Sequence, residues 1–225
     1  QTRQEVYERK SGRAYEERPI EPEKKERVIQ AAIQAPSAGN MTLYSIIDVT
    51  DQKLKETLAV TCDNQPFIAK APMVLVFCAD YQKWYDLFLQ REEEVRKPGM
   101  GDFMLASCDA LIAAQNAVTA AQALGIGSCY IGDIMERYET HRDLLHLPKY
   151  VVPTAMVVFG YPTKQQEERE KPVRLPAQAV VSENTYRRQE AAEYAEYLSD
   201  RQGKTEEEFD RWLHALCKRT WNSEF

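Results

Sequence analysis

The stretch F-M-L-A-S-C-D-A-L-I-A-A-Q-N-A-V-T-A-A-Q-A-L, running from Phe103 to Leu124, decides the class of fold. It reads as a helix with almost no polar face, and Gly125 ends it. Small residues recur along it, among them Ala106, Ala110, Ala113, Ala114, Ala117 and Ala121, so neighbouring backbones can approach closely. Asp109, Gln115, Asn116 and Gln122 argue against a lipid setting. A helix of this kind is expected to be buried, at the centre of a core or of a subunit interface.

Strand signals lie on both sides of it. Pro72 to Ala79 (P-M-V-L-V-F-C-A) is a continuous apolar run and predicts a strand buried on both faces. Leu43 to Val49 and Val152 to Gly160 read as strands too, and Ile126 to Gly132 as a tight strand or turn. Helices are predicted over residues 4–10, from Pro22 through Ile33, from Asp51 through Leu58, and over residues 81–97, with a loop at Pro98 to Gly101. The Arg91 to Lys97 charge run is expected to be the solvated end of that last helix. Strands and helices alternate unevenly and helix dominates, which fits an α+β layered domain. Residues 187–219 form two amphipathic stretches, with Gly203 between them and Thr205 as an N-cap.

Composition narrows the class. The 225 residues carry 29 basic and 35 acidic side chains, a net charge of −6, which speaks against a nucleic-acid surface. No run of 18 apolar residues occurs and the N-terminus lacks a secretory pattern, so no membrane partner is expected. The five cysteines are widely spaced without a C-x-x-C, and the three histidines have no convincing partner at ligand spacing. Free thiols in a cytoplasmic protein, and no metal, are the expectation.

Four stretches could carry chemistry. Arg9-Lys10-Ser11-Gly12-Arg13 offers three cations and a hydroxyl, a donor set suited to phosphate; a solvated basic patch uses the same residues. Ala35-Pro36-Ser37-Ala38-Gly39-Asn40 is a rigid turn that could hydrogen-bond the edge of a flat ring, or simply join a helix to a strand. Gly125 to Gly132 is not a dinucleotide fingerprint, because its glycines are misspaced and follow a helix; they allow close backbone approach to a ligand, or only cap the helix. Cys129 within it reads as a buried, inert thiol more readily than as a reactive one. Lys171-Pro172-Val173-Arg174 projects two cations from an extended segment, or is a linker. No nucleophile–base arrangement, P-loop or H-E-x-x-H appears, which is the pattern of an enzyme whose cofactor does the chemistry.

Taken in order, Arg9 to Arg13, Ala35 to Asn40, Ala71-Pro72, Gly125 to Gly132 and Gly160 to Pro162 resemble the flavin-dependent nitroreductase family, in its NADPH-preferring flavin reductase branch. The resemblance implies a three-layer α/β/α sandwich around a mostly antiparallel sheet, an intertwined homodimer, and FMN at the dimer interface. Arg9, Lys10, Ser11 and Arg13 would hold the phosphate and ring edge from one subunit, and Pro36, Ser37, Ala38 and Asn40 would reach the flavin from the other. Gln65, Ile131 and Gly132 would lie beside the ring, and Lys171 and Arg174 would complete the phosphate site. Residues 1–186 would form the FMN-binding domain and residues 187–225 a helical extension packing on the partner. The sequence departs from the family at Thr42, where Gln is usual, at Gly12, and in the insertion of Val173.

The implied activity is an FMN-dependent NAD(P)H oxidoreductase acting on nitroaromatics, quinones or free flavin by ping-pong hydride transfer. A flavin-binding redox sensor is the alternative, and a dimeric interaction domain a third. The aromatic stretch over residues 84–104 is expected to roof the substrate site or to face the core.

Overall fold

A computed structural model of the chain describes residues 2–221. Gln1 and residues 222–225, the outer ends of the two expected segments, lie outside the described residues. The central strand, β2 (Met73–Asp80), is buried at every position. Its side chains alternate. Met73, Leu75 and Phe77 enter one apolar cluster with Val157 and Phe159, while Val74, Val76 and Cys78 enter a second with Met156 and Val158. A strand apolar on both faces needs a layer on each side, and the chain supplies both.

Besides β2, the sheet contains β1 (Tyr44–Asp48), β3 (Gly127–Ile131) and β4 (Val151–Gly160), in the order β1-β2-β4-β3 with every pairing antiparallel. A bulge falls between Phe77 and Cys78, where Pro153 stands opposite and has no N–H to give. The Thr154 hydroxyl donates to the Phe77 carbonyl at 3.0 Å and satisfies it.

One face of the sheet is covered by α2 (Pro22–Ile33) and α6 (Met100–Ala123), through Val28, Ala32 and the alanines of α6. On the other face pack α3 (Gln52–Thr61) and α4 (Pro66–Lys70), through Leu58 and Ile68. With them lies α7 (Tyr138–Leu144), fixed by fully buried His141. The expected α/β/α sandwich is thus present. The remaining helices are α1 (Thr2–Glu8), α5 (Gln82–Leu89), α8 (Lys164–Glu168), α9 (Ala191–Gln202) and α10 (Glu206–Trp221).

The chain divides into two compact units, Gln1–Arg169 and Glu170–Phe225. In the second, α9 ends on Gly203 in the left-handed region (φ 57°), and α10 opens on Thr205. The Thr205 hydroxyl accepts from the Glu208 N–H, and the Glu208 carboxylate accepts from the Thr205 N–H. This reciprocal pair stops one helix and starts the next.

Two expectations need correction. The predicted helix over 81–97 stops at Leu89, and the Arg91 to Lys97 run is irregular because no apolar periodicity holds it to the core. Arg96 folds back instead and grips Asp102 through both guanidinium nitrogens. Asp102 also accepts from the Gly99 N–H, so α6 begins at Met100 rather than after a loop reaching Gly101. The described residues of one copy do not cover α6 all round. Asp109, Ala110, Ala113, Ala114, Ala117 and Ala121 are buried, but Met104 is 61% exposed, and Leu105, Leu111 and Ile112 exceed 40%. Its inner face meets the sheet; its outer face carries these exposed apolar side chains. By length and composition α6 could cross a membrane, but its buried face packs on β2 and β4.

His141 ties α7 to the turn after β3 and to α3. Its Nδ1 lies 2.7 Å from the Ile134 carbonyl, and its Nε2 lies 2.8 Å from the Thr61 hydroxyl. A carbonyl only accepts, so Nδ1 carries the proton. Burial lowers the pKa of His141 from its ordinary 6.5. The unfolded chain therefore takes up the proton first, and stability falls as pH drops below 6.5. Urea melts of His141→Gln are expected to show a shallower loss over that acid range than wild type, whatever the variant's stability at neutral pH. A second test concerns Gly160, where an added Cβ would stand 2.7 Å from the Tyr15 ring and 2.8 Å from Pro72. Gly160→Ala should cost about 1–3 kcal/mol in denaturant unfolding through overpacking.

Candidate functional site

After α1 the chain leaves its helix and runs beside β3. Ser11 bridges Ser128, the Gly12 N–H donates to the Ser128 carbonyl at 2.9 Å, and the Arg13 N–H donates to Gln166 Oε1 at 3.1 Å. Tyr15 then bridges Pro162, and its hydroxyl donates to the Gly12 carbonyl. The segment is thereby sewn to the sheet edge by backbone bonds, and its side chains are held in place.

Those side chains have different fates. Arg9 lies with its guanidinium carbon 5.8 Å from the centre of the Tyr130 ring, and its Nε and Nη2 are buried without a hydrogen-bond partner. Unmet buried donors are rare and costly, more so on a cation. The Lys10 ammonium is spent on the carbonyls of Glu167 and Arg169, at the end of α8. The Arg13 side chain is exposed and, with Ala14, Gln165, Gln166, Glu168 and Arg169, lines an open recess of about 560 Å³. Cys129, beside these arginines, is 1% exposed, and burial pushes its thiol up against their opposing pull. It is buried in the apolar cluster behind the sheet.

The Pro36 to Asn40 loop is held from beneath. Asp109 of α6 accepts from the N–H groups of Ala38 and Leu43, at 3.0 and 3.2 Å. The Ser37 hydroxyl accepts from the Thr42 N–H at 3.0 Å, and Trp84 Nε1 donates to the Met41 carbonyl at 2.7 Å. Gly39, Asn40 and Thr42 all sit in the left-handed region. Three such residues in four persist only where the surroundings over-determine them, and Asp109 provides that constraint. In the sequence Asp109 argues only against a lipid setting; a carboxylate on a core face is the signal of this further role.

Gln65 precedes α4. Its Nε2 donates to the Cys62 carbonyl and to Asp133 Oδ2, both at 2.9 Å. Asp133 lies in the 3-10 turn Gly132–Met135 that follows β3, so the structure brings Gln65 to the turn that Gly132 begins. Ile131 is buried, whereas Gly132 is exposed, and nothing lies within 4 Å of where its Cβ would be. Tyr130 and Asp133 were not foreseen as site residues; both depend on pairings across the fold. Lys171 and Arg174 lie in the second unit.

The aromatic stretch resolves into separate tasks. Trp84 braces the Met41 loop and Tyr85 meets Tyr150 edge-on at 5.0 Å. Phe103 lines an apolar cavity of about 250 Å³ with Tyr81, Pro98, Gly99, Met100 and Tyr150.

Comparison with known proteins gives a consistent result. The chain is 34% identical over 179 residues to an FMN reductase (NADPH) of Bacillus subtilis, covering 79% of this chain and 71% of that one. It is 35% identical over 177 residues to an oxygen-insensitive NADPH nitroreductase of Salmonella typhimurium, with the same coverages. Among solved structures, the NfrA1 nitroreductase of B. subtilis superposes with a TM-score of 0.83 at 29% identity, covering 97% of this chain and 92% of that one. The NADPH:FMN oxidoreductase of Vibrio harveyi, complexed with NAD+, gives 0.79 at 28% identity, covering 95% and 91%. The family model described as the Nitroreductase family matches residues 6–161, a span that takes in the Arg9 segment, the Pro36 loop, Gln65 and the whole sheet, and the chain belongs to that family.

Proposed function

We propose that the protein is an FMN-dependent NAD(P)H oxidoreductase that reduces nitroaromatics, quinones or free flavin. The observation that carries this reading is Arg9, whose buried donors Nε and Nη2 have no hydrogen-bond partner among the described residues. An anionic ligand beside Tyr130 supplies the missing acceptors, and the open side of Gly132 accepts a flat ring without a clash. On both counts the residues fit FMN. Hydride transfer, from NAD(P)H and on to the acceptor, is the chemistry that bound FMN supplies.

The chain's own residues bind and orient. Arg9, Arg13 and Ser11 offer donors to the phosphate and ring edge, and Lys171 and Arg174 are proposed as further cations for the phosphate. Lys10 serves it indirectly, by fastening α8 next to the recess that Arg13 lines. Cations near a ring that gains negative charge on reduction stabilise the reduced form. Gly132 and Ile131 bring backbone to the ring, and Gln65 its amide. No side chain is required as an obligatory acid or base.

The active species in this reading is a homodimer. The exposed row Met104, Leu105, Leu111 and Ile112 on α6 is an apolar surface that a second copy covers, and residues 187–225 pack on that partner. Pro36, Ser37, Ala38 and Asn40 then reach the flavin of the other subunit. Exposed thiols at Cys108 and Cys217 suit the reducing cytoplasm.

Purified protein is expected to be yellow, with its flavin band bleached by NADPH without oxygen. Colourless protein that rejects added FMN would sink this reading. Arg9→Ala, Arg13→Ala and Arg174→Ala should each weaken FMN binding by about ten- to a hundredfold, the cost of a lost charge-assisted hydrogen bond. Unchanged affinity in all three would mark them as solvated cations. Leu111→Asp combined with Ile112→Asp should convert dimer to monomer in light scattering, and flavin should be lost in the same step.

A further inference from the structure

The pair Gln65–Asp133 has a chemical consequence beyond contact. Both hydrogens of the Gln65 amide nitrogen are used, one on the Cys62 carbonyl and one on Asp133 Oδ2, each at 2.9 Å. A carbonyl and a carboxylate can only accept. The amide therefore cannot be reversed: turning it would set its oxygen against two acceptors, one of them charged. Gln65 Oε1 takes no hydrogen bond from the described residues. In this setting Gln65 offers a ligand an acceptor only. The Gln65 N–H donates to the Ala59 carbonyl at 2.7 Å, so the backbone below the amide is fixed as well.

We propose that Asp133 is a positioning residue that locks Gln65 as an acceptor for the single N–H on the edge of the oxidised flavin ring, the imide N3–H. This rests on the FMN reading above. The oxidised isoalloxazine edge otherwise carries acceptors, at N1, N5 and the two carbonyl oxygens. A glutamine free to flip meets either kind of group; one locked as an acceptor selects the imide. Asp133 thus gives the site a preference for an imide-bearing ring, which a flexible amide lacks, and does so without touching the ring.

The test is fluorescence titration of apoprotein with FMN and with its N3-methyl analogue, which lacks that hydrogen. Wild type is expected to bind FMN about tenfold or more tighter than the analogue, the worth of one hydrogen bond. Asp133→Leu removes the acceptor and lets the amide turn, so the ratio should fall towards one. Asp133→Asn removes the charge but keeps an oxygen for the Gln65 amide, and should retain most of the discrimination. Gln65→Met should abolish it with Asp133 intact. Circular dichroism checks that each variant folds. Equal wild-type affinity for the two ligands overturns the proposal while leaving FMN binding standing, and needs no variant. Loss of discrimination in Asp133→Asn as complete as in Asp133→Leu also overturns it, because charge and not the acceptor would then set the effect. A ratio unchanged in Asp133→Leu means steric rejection of the methyl group, or an amide held by the Cys62 carbonyl alone, and overturns it too. A wild type that binds neither ligand overturns the FMN reading, and this proposal with it.

Discussion

The structure depends on one strand having no polar face. With Met73, Leu75 and Phe77 on one side of β2 and Val74, Val76 and Cys78 on the other, the sheet cannot leave either surface to water. That constraint calls for two helical layers. It places the alanines of α6 against one side, where small side chains let the helix come close, and α3, α4 and α7 against the other. The β3 edge lies next to β4, free to take the Ser11 segment, and the loops that leave β3 and α2 are the ones that carry the candidate ligand groups.

Carboxylates on this scaffold govern the local geometry around the site. Asp109 satisfies two loop N–H groups and permits a left-handed run at Gly39, Asn40 and Thr42. Asp102, held at a pKa of about 2 chiefly by its hydrogen bond to Arg96, fixes where α6 starts. Asp133 sets the direction of the Gln65 amide. Each uses its charge on a neighbouring donor rather than on a reacting group. This suits a protein whose chemistry is supplied by a cofactor: binding groups must be pre-oriented, and no proton needs to be held ready.

Two features stay unsatisfied among the described residues of a single copy, and they are of opposite kinds. The buried donors of Arg9 lack acceptors, and the outer side of α6 lacks apolar cover. The first is met by an anion and the second by a hydrophobic surface. The proposed FMN-binding homodimer would answer both, and a loop fastened to α6 by Asp109 is well placed to link assembly to ligand binding.

The sequence by itself determined whatever depends on local pattern. Continuous apolar runs marked the strands, Gly125 and Gly203 the ends of helices, Thr205 the start of one, and the ordered short motifs the family. Their physical causes act over a few residues: side-chain periodicity, positive φ, a cap's reach to the next turn. Only the tertiary structure decided the partners. It showed that α6 is covered on one side, because coverage depends on how many layers the chain has to give. It put the Lys10 ammonium on the carbonyls of Glu167 and Arg169 at the end of α8, more than 150 residues away in the chain. It brought Asp133 to Gln65 across 68 residues and so chose the direction of an amide. A hydrogen bond between distant segments leaves no periodic trace in sequence, because its geometry exists only once the layers have packed.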